Sequence, residues 1–168
     1  MNMEDVKAKK KLTAEELQKL MDNRKKCEYL KNVHEGKEYP IPKLVGALRT
    51  ILVDKDTMGA EDLTIGYAEF QPGDYHEPHA HAACEEFMYV ISGRIVGGVG
   101  NGEESIQKEG DVLFIPRGAK HWFYNPFDEP QTHLFVYTRP SLATAGYSLE
   151  SEGFKEIGTK VENAQARK

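Results

Sequence analysis

Two histidines, His79 and His81, are separated by a single residue. In an extended strand, residues two apart point to the same face, so the two imidazoles face the same way. Glu86 follows His81 by five residues, and His121 lies forty residues beyond His81. Three neutral imidazoles and one carboxylate bind a divalent transition metal and leave one or two coordination positions for water or substrate. The residue types therefore predict a site for one such metal, with Fe, Mn, Zn and Ni as the candidates.

Glycines, a proline and an asparagine flank these four residues at fixed intervals. The first pattern, with five, one, four and six intervening residues, is Gly73, His79, His81, Glu86 and Gly93. The second pattern, with five, one, two and three intervening residues, is Gly110, Pro116, Gly118, His121 and Asn125. The flanking residue types form turns, so we expect them to shape the loops rather than to contact substrate. A chance match of ten positions by type and spacing is rarer than roughly one in a million.

These two patterns, with sixteen residues between them, resemble the two motifs of the cupin superfamily. The resemblance implies an all-β, single-domain jelly-roll barrel that holds a metal inside, with His79, His81, Glu86 and His121 as the ligands. Glu85 is the alternative carboxylate, because some members have three residues rather than four between the second histidine and the glutamate. Neighbours on a strand face opposite ways, so only one of the two carboxylates can be a ligand. The six-residue spacing to the next motif glycine favours Glu86.

Short β-strands must position these residues. From residue 49 onward, β-branched and aromatic runs alternate with turn signals, a pattern typical of an antiparallel sandwich or barrel. The predicted strands are 49–54, 63–71, 76–81, 86–91, 94–99, 104–108, 111–115, 122–125 and 133–138. They define a cupin barrel over residues 41–140. A polar C-terminal tail, 141–168, follows, with a short strand or helix expected within 147–157.

An amphipathic helical arm is predicted over residues 1–40. Thr13 and Glu16 have the spacing of a capping box, so the helix is expected to begin there. Apolar residues recur near helical spacing as far as Leu30, with lysines and arginines on the other face. Gly36 and the proline-containing segment after it are expected to end the helix.

Alternation along the predicted strands indicates which side chains surround the metal. Met88 and Phe123 share strand faces with the predicted glutamate and histidine ligands, so both are pocket candidates, with ordinary core packing as the alternative for Phe123. Arg49 and Tyr67 lie on strands that can frame the cavity. The two-residue period does not say which face of those strands points inward, and surface placement is the alternative. An inward arginine would favour a carboxylate ligand.

Two further histidines fall on predicted strands. His76 precedes His79 by three residues, which places it on the opposite face of a regular strand, so it is not a predicted ligand. It is either an acid–base group at the mouth of the cavity or a partly exposed loop histidine. His133 lies on the last predicted barrel strand and either lines the barrel, packs in the core or lies at the surface.

The composition excludes several classes of protein. The chain has 168 residues with 22 Lys and Arg against 27 Asp and Glu, and its net charge of −5 disfavours nucleic acid as a partner. A membrane span needs about 20 apolar residues, which no run approaches, so we expect no membrane partner. The lysine-rich start lacks an apolar signal-peptide centre, so the expected location is the cytoplasm. Cys27 and Cys84 are expected to be free thiols.

A divalent cation offset by one carboxylate carries a formal charge of about +1, which attracts a small anionic substrate such as a carboxylate, enolate or enediolate. With the cupin resemblance, the expected function is a metal-dependent enzyme acting on a small organic acid or oxygen-rich metabolite. The metal serves as a Lewis acid or as an O₂-activating centre, and dioxygenase, decarboxylase and isomerase or lyase chemistry all stay open. The alternative is a non-catalytic, metal-dependent protein that binds or senses a small ligand.

The outer face of the predicted barrel also indicates a partner. Phe87, Tyr89 and Ile91 are expected to point away from the metal, and apolar outer faces need cover. Either the N-terminal arm or a second subunit could provide it. The cupin resemblance favours a homodimer.

Overall fold

The computed structural model describes residues 11–41 and 48–153. The chain divides into two compact units, Met1–Lys31 and Asn32–Lys168. Within the described ranges, every helix is too short or too polar to cross a lipid bilayer. The cytoplasmic location expected from the sequence stays a prediction.

The first unit contains a short helix, α1 (Ala14–Arg24). The Thr13 hydroxyl accepts a hydrogen bond from the backbone N–H of Glu16, and the Glu16 carboxylate accepts one from the backbone N–H of Thr13. This capping box confirms the predicted start. The helix ends well before Gly36, because the next N–H groups turn back to carbonyls three residues earlier, as Cys27 does to Arg24. No residue of α1 is buried, so tertiary packing does not stabilise a longer helix.

The second unit contains eleven strands among its described residues. They are β1 (Lys37–Pro40), β2 (Leu48–Val53), β3 (Thr64–Phe70), β4 (Tyr75–His81), β5 (Glu86–Ser92), β6 (Arg94–Val99), β7 (Ser105–Lys108), β8 (Val112–Ile115), β9 (His121–Tyr124), β10 (Gln131–Tyr137) and β11 (Tyr147–Leu149). Short 3-10 helices lie at Val33–Glu35, Leu142–Thr144 and Glu150–Glu152.

The strands form two antiparallel sheets. Sheet A has the order β1-β2-β3-β10-β5-β8, and sheet B has the order β11-β4-β9-β6-β7. From β3 onward the chain passes repeatedly between the sheets, so most paired strands, such as β3 with β10 and β4 with β9, are distant in sequence, whereas β6 and β7 are consecutive. This connectivity is that of a jelly roll, which confirms the predicted all-β fold.

All nine predicted strands are present with small shifts at their ends, and the sheets extend beyond 41–140. β1, from the predicted arm, pairs with β2, and β11, from the predicted tail, pairs with β4. The proline in the Tyr39-Pro40 segment was expected to interrupt regular secondary structure. Instead, Pro40 lies in β1, the edge strand of sheet A, where a proline is tolerated because no further strand needs its N–H.

The core lies between the two sheets. β3 and β10 alternate strictly between buried and half-buried residues, and β5 alternates between buried and exposed ones, so one face of each strand points inward. Fully buried apolar side chains from both sheets meet there, including Phe70, Met88, Ile95 and Ile115. This apolar packing surrounds the polar residues of the candidate site.

Candidate metal centre

Three strands bring the four predicted ligands together. His79 and His81 lie on β4, Glu86 opens β5, and His121 opens β9. β4 and β9 are neighbours in sheet B, where His79 and His121 face each other in register. Glu86 comes from sheet A, so the cluster bridges the two sheets. All four side chains are buried.

The four residues offer ligand atoms that converge. One nitrogen or carboxylate oxygen from each lies within 4.8 Å of the corresponding atoms of the others. Nε2 of His81 and Nε2 of His121 lie 3.1 and 3.2 Å from the same oxygen, Oε2 of Glu86. None of these three buried atoms makes an aligned hydrogen bond with a described residue. Buried polar atoms are rarely left unpaired, and a shared cation would satisfy all three, so the residues fit a metal ion.

Backbone carbonyls orient two of the imidazoles. Nδ1 of His79 lies 2.9 Å from the carbonyl oxygen of Glu77, and Nδ1 of His121 lies 3.0 Å from that of Ala119. A carbonyl only accepts, so each Nδ1 carries the proton and each Nε2 keeps its lone pair for a metal. The turn before His121 is held by Gly118, whose φ is +73° and whose N–H donates to the carbonyl of His81.

The electrostatics of the cluster favour the protonation states that bind a metal. Burial lowers the pKa of His79 well below its usual range, and the nearby imidazoles lower it further. Burial also lowers the pKa of His81, and the Glu86 carboxylate only partly opposes this. Burial raises the pKa of Glu86, but the imidazoles of His121 and His81 outweigh that effect, so its net pKa is lowered. Burial therefore favours the neutral forms of His79 and His81, the forms in which an imidazole binds a metal.

The structure separates the two candidate carboxylates. Glu86 is buried within the cluster, whereas Glu85 is exposed and its backbone N–H donates to the Thr138 hydroxyl. This placement supports Glu86 as the metal-facing residue, as the motif spacing predicts.

A small cavity adjoins the cluster. It lies between the two sheets and is lined by side chains from both of them. Charged and polar groups face it together with apolar walls. Its described lining residues are Ile41, Arg49, Ala68, Phe70, His76, His79, Glu86, Phe123, His133, Phe135 and Tyr137.

The four predicted pocket residues fall in different places. Arg49 and Phe123 line the cavity. Met88 is buried in the core but is not among the lining residues. Tyr67 lies on the opposite face of β3 from the cavity-lining Ala68 and is only half-buried, which is the surface alternative rather than the pocket placement. The face of β3 could not be assigned from the two-residue period alone.

His76 enters the cavity despite its odd spacing from His79. The pairing of β4 with β9 shifts register between the two histidines, and Pro78, which has no N–H for the ladder, lies in that interval. Because of this shift, the prediction that His76 lies on the opposite face of the strand from His79 was wrong. The ring centroids of His76 and His79 are 3.7 Å apart. Nε2 of His76 lies 2.8 Å from the Tyr147 hydroxyl.

Tyr147 is a site residue that the sequence did not indicate, as are cavity-lining residues such as Phe70 and Tyr137. It lies on β11, in a segment whose polar composition predicted a surface tail. Its ring is buried near those of His79 and His81. The pairing of β11 with β4 over Tyr147↔His81 brings it there, and no local pattern signals that long-range contact.

Jelly-roll sheets joined by a buried cluster of three histidines and one glutamate define the class of this protein. The chain belongs to the cupin superfamily, and residues 66–137 match the cupin domain model.

Relatives in the superfamily include polyketide synthase proteins. The chain is 35% identical over 107 residues to polyketide synthase CurC of Streptomyces cyaneus, across 61% of this chain and 68% of that protein. It is 31% identical over 101 residues to the tetracenomycin polyketide synthase protein TcmJ of Streptomyces glaucescens, across 58% of this chain and 66% of that protein.

Among solved structures, the fold resembles the formate complex of oxalate decarboxylase from Lactobacillus farciminis. The TM-score is 0.60 and the sequence identity is 25%, over 73% of this chain and 36% of the decarboxylase. The similar part is therefore about a third of that larger protein.

Proposed function

We propose that this protein is a metal-dependent enzyme that acts on a small, anionic, oxygen-rich metabolite bound in the cavity beside His79, His81, Glu86 and His121. The observation that carries the proposal is the convergence of buried ligand atoms that lack hydrogen-bond partners among the described residues. The site opens onto an internal cavity rather than being sealed by packing, as a catalytic site requires.

When bound, a divalent metal supplies a Lewis acid that polarises a substrate oxygen, or, as Fe(II), reactivity toward O₂. The protein's own residues orient the ligands and shape the cavity. The backbone carbonyls of Glu77 and Ala119 hold two imidazoles in the ligating tautomer, and Phe70, Phe123 and Phe135 exclude water from the cavity walls. Burial lowers the pKa of His76 well below its usual range, so it is a neutral imidazole within the cavity, and its hydrogen bond to Tyr147 fixes the ring where it can bind a polar group of the substrate.

The resemblance to an oxalate decarboxylase supports the decarboxylase branch, and the match covers only part of that protein. Dioxygenase and isomerase or lyase chemistry are the other branches, and Fe, Mn, Zn and Ni the candidate metals. The metal and its dependence on O₂ separate them. Iron with O₂ uptake favours a dioxygenase, whereas manganese, zinc or nickel without O₂ uptake favours the non-redox branches.

Elemental analysis of protein purified without added metal tests the site. We expect close to one transition-metal ion per chain in the wild type and most of it lost in His121→Ala and Glu86→Gln, because each removes a ligand from a buried cluster. Glu85→Gln is the matched control, since the neighbouring carboxylate is exposed, and it should keep its metal. Equal metal loss in the two glutamate variants would overturn the assignment.

Turnover separates the enzyme from a binding protein. The metal-loaded wild type is incubated with small organic acids, oxalate among them, while O₂ uptake, CO₂ release and substrate loss are followed. We expect substrate loss that disappears in the folded His121→Ala variant. Saturable binding of these acids without any turnover would favour the non-catalytic binding or sensing protein instead.

We also propose a homodimer. On sheet A, β10, β5 and β8 carry apolar side chains on the outer face, and Phe87 pairs with Phe114 while Tyr89 pairs with Val112. These side chains are 39–64% exposed. A contiguous apolar surface of this kind on a sheet whose edge strand is β8 is typical of a protein interface.

A further inference from the structure

Arg49 is a buried cation in the cavity. It lies on β2, its side chain is 5% exposed, and its Nε has no hydrogen-bond partner among the described residues. It lines the cavity shared with His79 and Glu86 and also an adjoining pocket beside His81 and Tyr147. A guanidinium stays protonated under all ordinary conditions, so this charge is permanent.

The charges around the cavity are unbalanced. Glu86 is the carboxylate among the described lining residues, and its Oε2 faces His81 and His121 rather than Arg49. In the part of the chain that the structure describes, Arg49 forms no ion pair with any carboxylate. With a divalent metal bound, the cavity would hold a net charge of about +2. A buried charge requires a partner, so an anionic group belongs beside Arg49.

The cavity walls restrict what that anion can be. Apolar and aromatic side chains, Ala68, Phe70, Phe123 and Phe135, also line the cavity. They offer van der Waals contact but few hydrogen bonds, and the space is small. A planar carboxylate matches the two-pronged geometry of a guanidinium better than a spherical anion does.

We propose that Arg49 is the substrate-anchoring residue of this cavity, and that the substrate is a small organic dianion. One of its carboxylates pairs with the Arg49 guanidinium, and its second acidic oxygen group faces the metal cluster. The inference rests on the proposed function, because it takes the cluster as the place where the second group binds. Two anchors that hold different groups of one substrate would orient its body in the cavity.

Calorimetric titration of the manganese-loaded protein with oxalate, malonate and acetate tests the proposal. We expect the wild type to bind oxalate or malonate at least tenfold more tightly than acetate. Arg49→Gln should lose at least tenfold in affinity for the dianions at unchanged metal content, and Arg49→Lys should recover part of it. Arg94→Gln is the matched control, because Arg94 is half exposed and pairs with Glu129, and it should bind like the wild type. Equal dianion affinity in wild type and Arg49→Gln, or no preference for dianions, would overturn the proposal.

A stability measurement tests whether the role of Arg49 is purely structural. If Arg49 pairs only with a bound ligand, Arg49→Met removes an unpaired buried charge from the ligand-free protein. The urea midpoint of unfolding should then be unchanged or higher. A lower midpoint would assign Arg49 to a structural ion pair and overturn the proposal. Metal content is measured separately: a wild type without metal would overturn the proposed function, whereas carboxylate binding that depends on Arg49 in the metal-free protein would still support the anchor.

Discussion

His133 shows how burial decides the state of a single residue. It is 5% exposed, its Nδ1 lies 3.0 Å from Oε1 of Gln131, and it lines the cavity. Because the amide oxygen only accepts, Nδ1 carries a proton. Burial lowers the pKa of His133 to about 4, even though the charge of Glu86 opposes the shift. Its role is therefore that of an uncharged hydrogen-bonding group.

This lowered pKa predicts an acid-sensitive fold. The folded pKa of about 4 lies below the usual 6.5, so the unfolded chain binds the extra proton first. The contribution of neutral His133 to the free energy of unfolding is complete above about pH 6.5 and is lost as the pH falls toward 4. Between pH 7 and pH 5 this residue alone should cost about 2 kcal/mol of unfolding free energy. His133→Gln should show a correspondingly smaller loss in urea unfolding of metal-free protein, and an identical pH dependence would contradict the argument. His34→Gln, at an exposed position, is the control.

At the scale of elements, the turn between β5 and β6 joins the two sheets. Gly93 occupies it with a φ of +70°, in the left-handed region that L side chains rarely adopt. A Cβ here would collide with the Pro130 carbonyl just before β10. The turn therefore requires glycine both for its conformation and for its close approach to another strand.

Gly93→Ala and Gly73→Ala form a matched pair that separates these two requirements. Gly73 has a φ of +84°, but a Cβ there meets nothing within 4 Å. We expect Gly73→Ala to lose about 1 kcal/mol of unfolding free energy through backbone strain alone. Gly93→Ala should lose about 2–4 kcal/mol, since the collision adds to the strain. Thermal or urea denaturation measures the two losses of unfolding free energy. Equal losses would show that a small shift of the chain removes the collision with Pro130 at little cost in free energy.

At the scale of the whole molecule, the outer face of sheet A is the main surface left to explain. Phe114 is 57% exposed and Phe87 is 40% exposed, and they are cross-strand partners. Two copies that stack these faces would bury aromatic area on both sides, which is the usual basis of a symmetric interface.

The proposed dimer predicts a mass of about twice 19.0 kDa by light scattering after gel filtration. Phe114→Glu should shift the protein to a monomer while its metal content is kept, because the residue is remote from the buried cluster. Ile106→Glu is the control, since Ile106 is 59% exposed but lies on β7 in the other sheet. A monomeric wild type would contradict the proposal.

The sequence by itself determined what depends on local periodicity. The nine predicted strands, the helix start at Thr13 and the choice of His79, His81, Glu86 and His121 as candidate ligands follow from two-residue alternation, capping and motif spacing. Each of these is a property of a short segment.

Tertiary structure alone decided which faces point inward and which distant segments meet. The register shift near Pro78 moved His76 into the cavity, the pairing of β11 with β4 added Tyr147, and the packing of β2 turned Arg49 inward and left Tyr67 outside. Alternation indicates that a strand has two faces, but only the second sheet shows which of them is covered. Long-range pairing likewise depends on the free energy of the whole packed core, which no short segment contains.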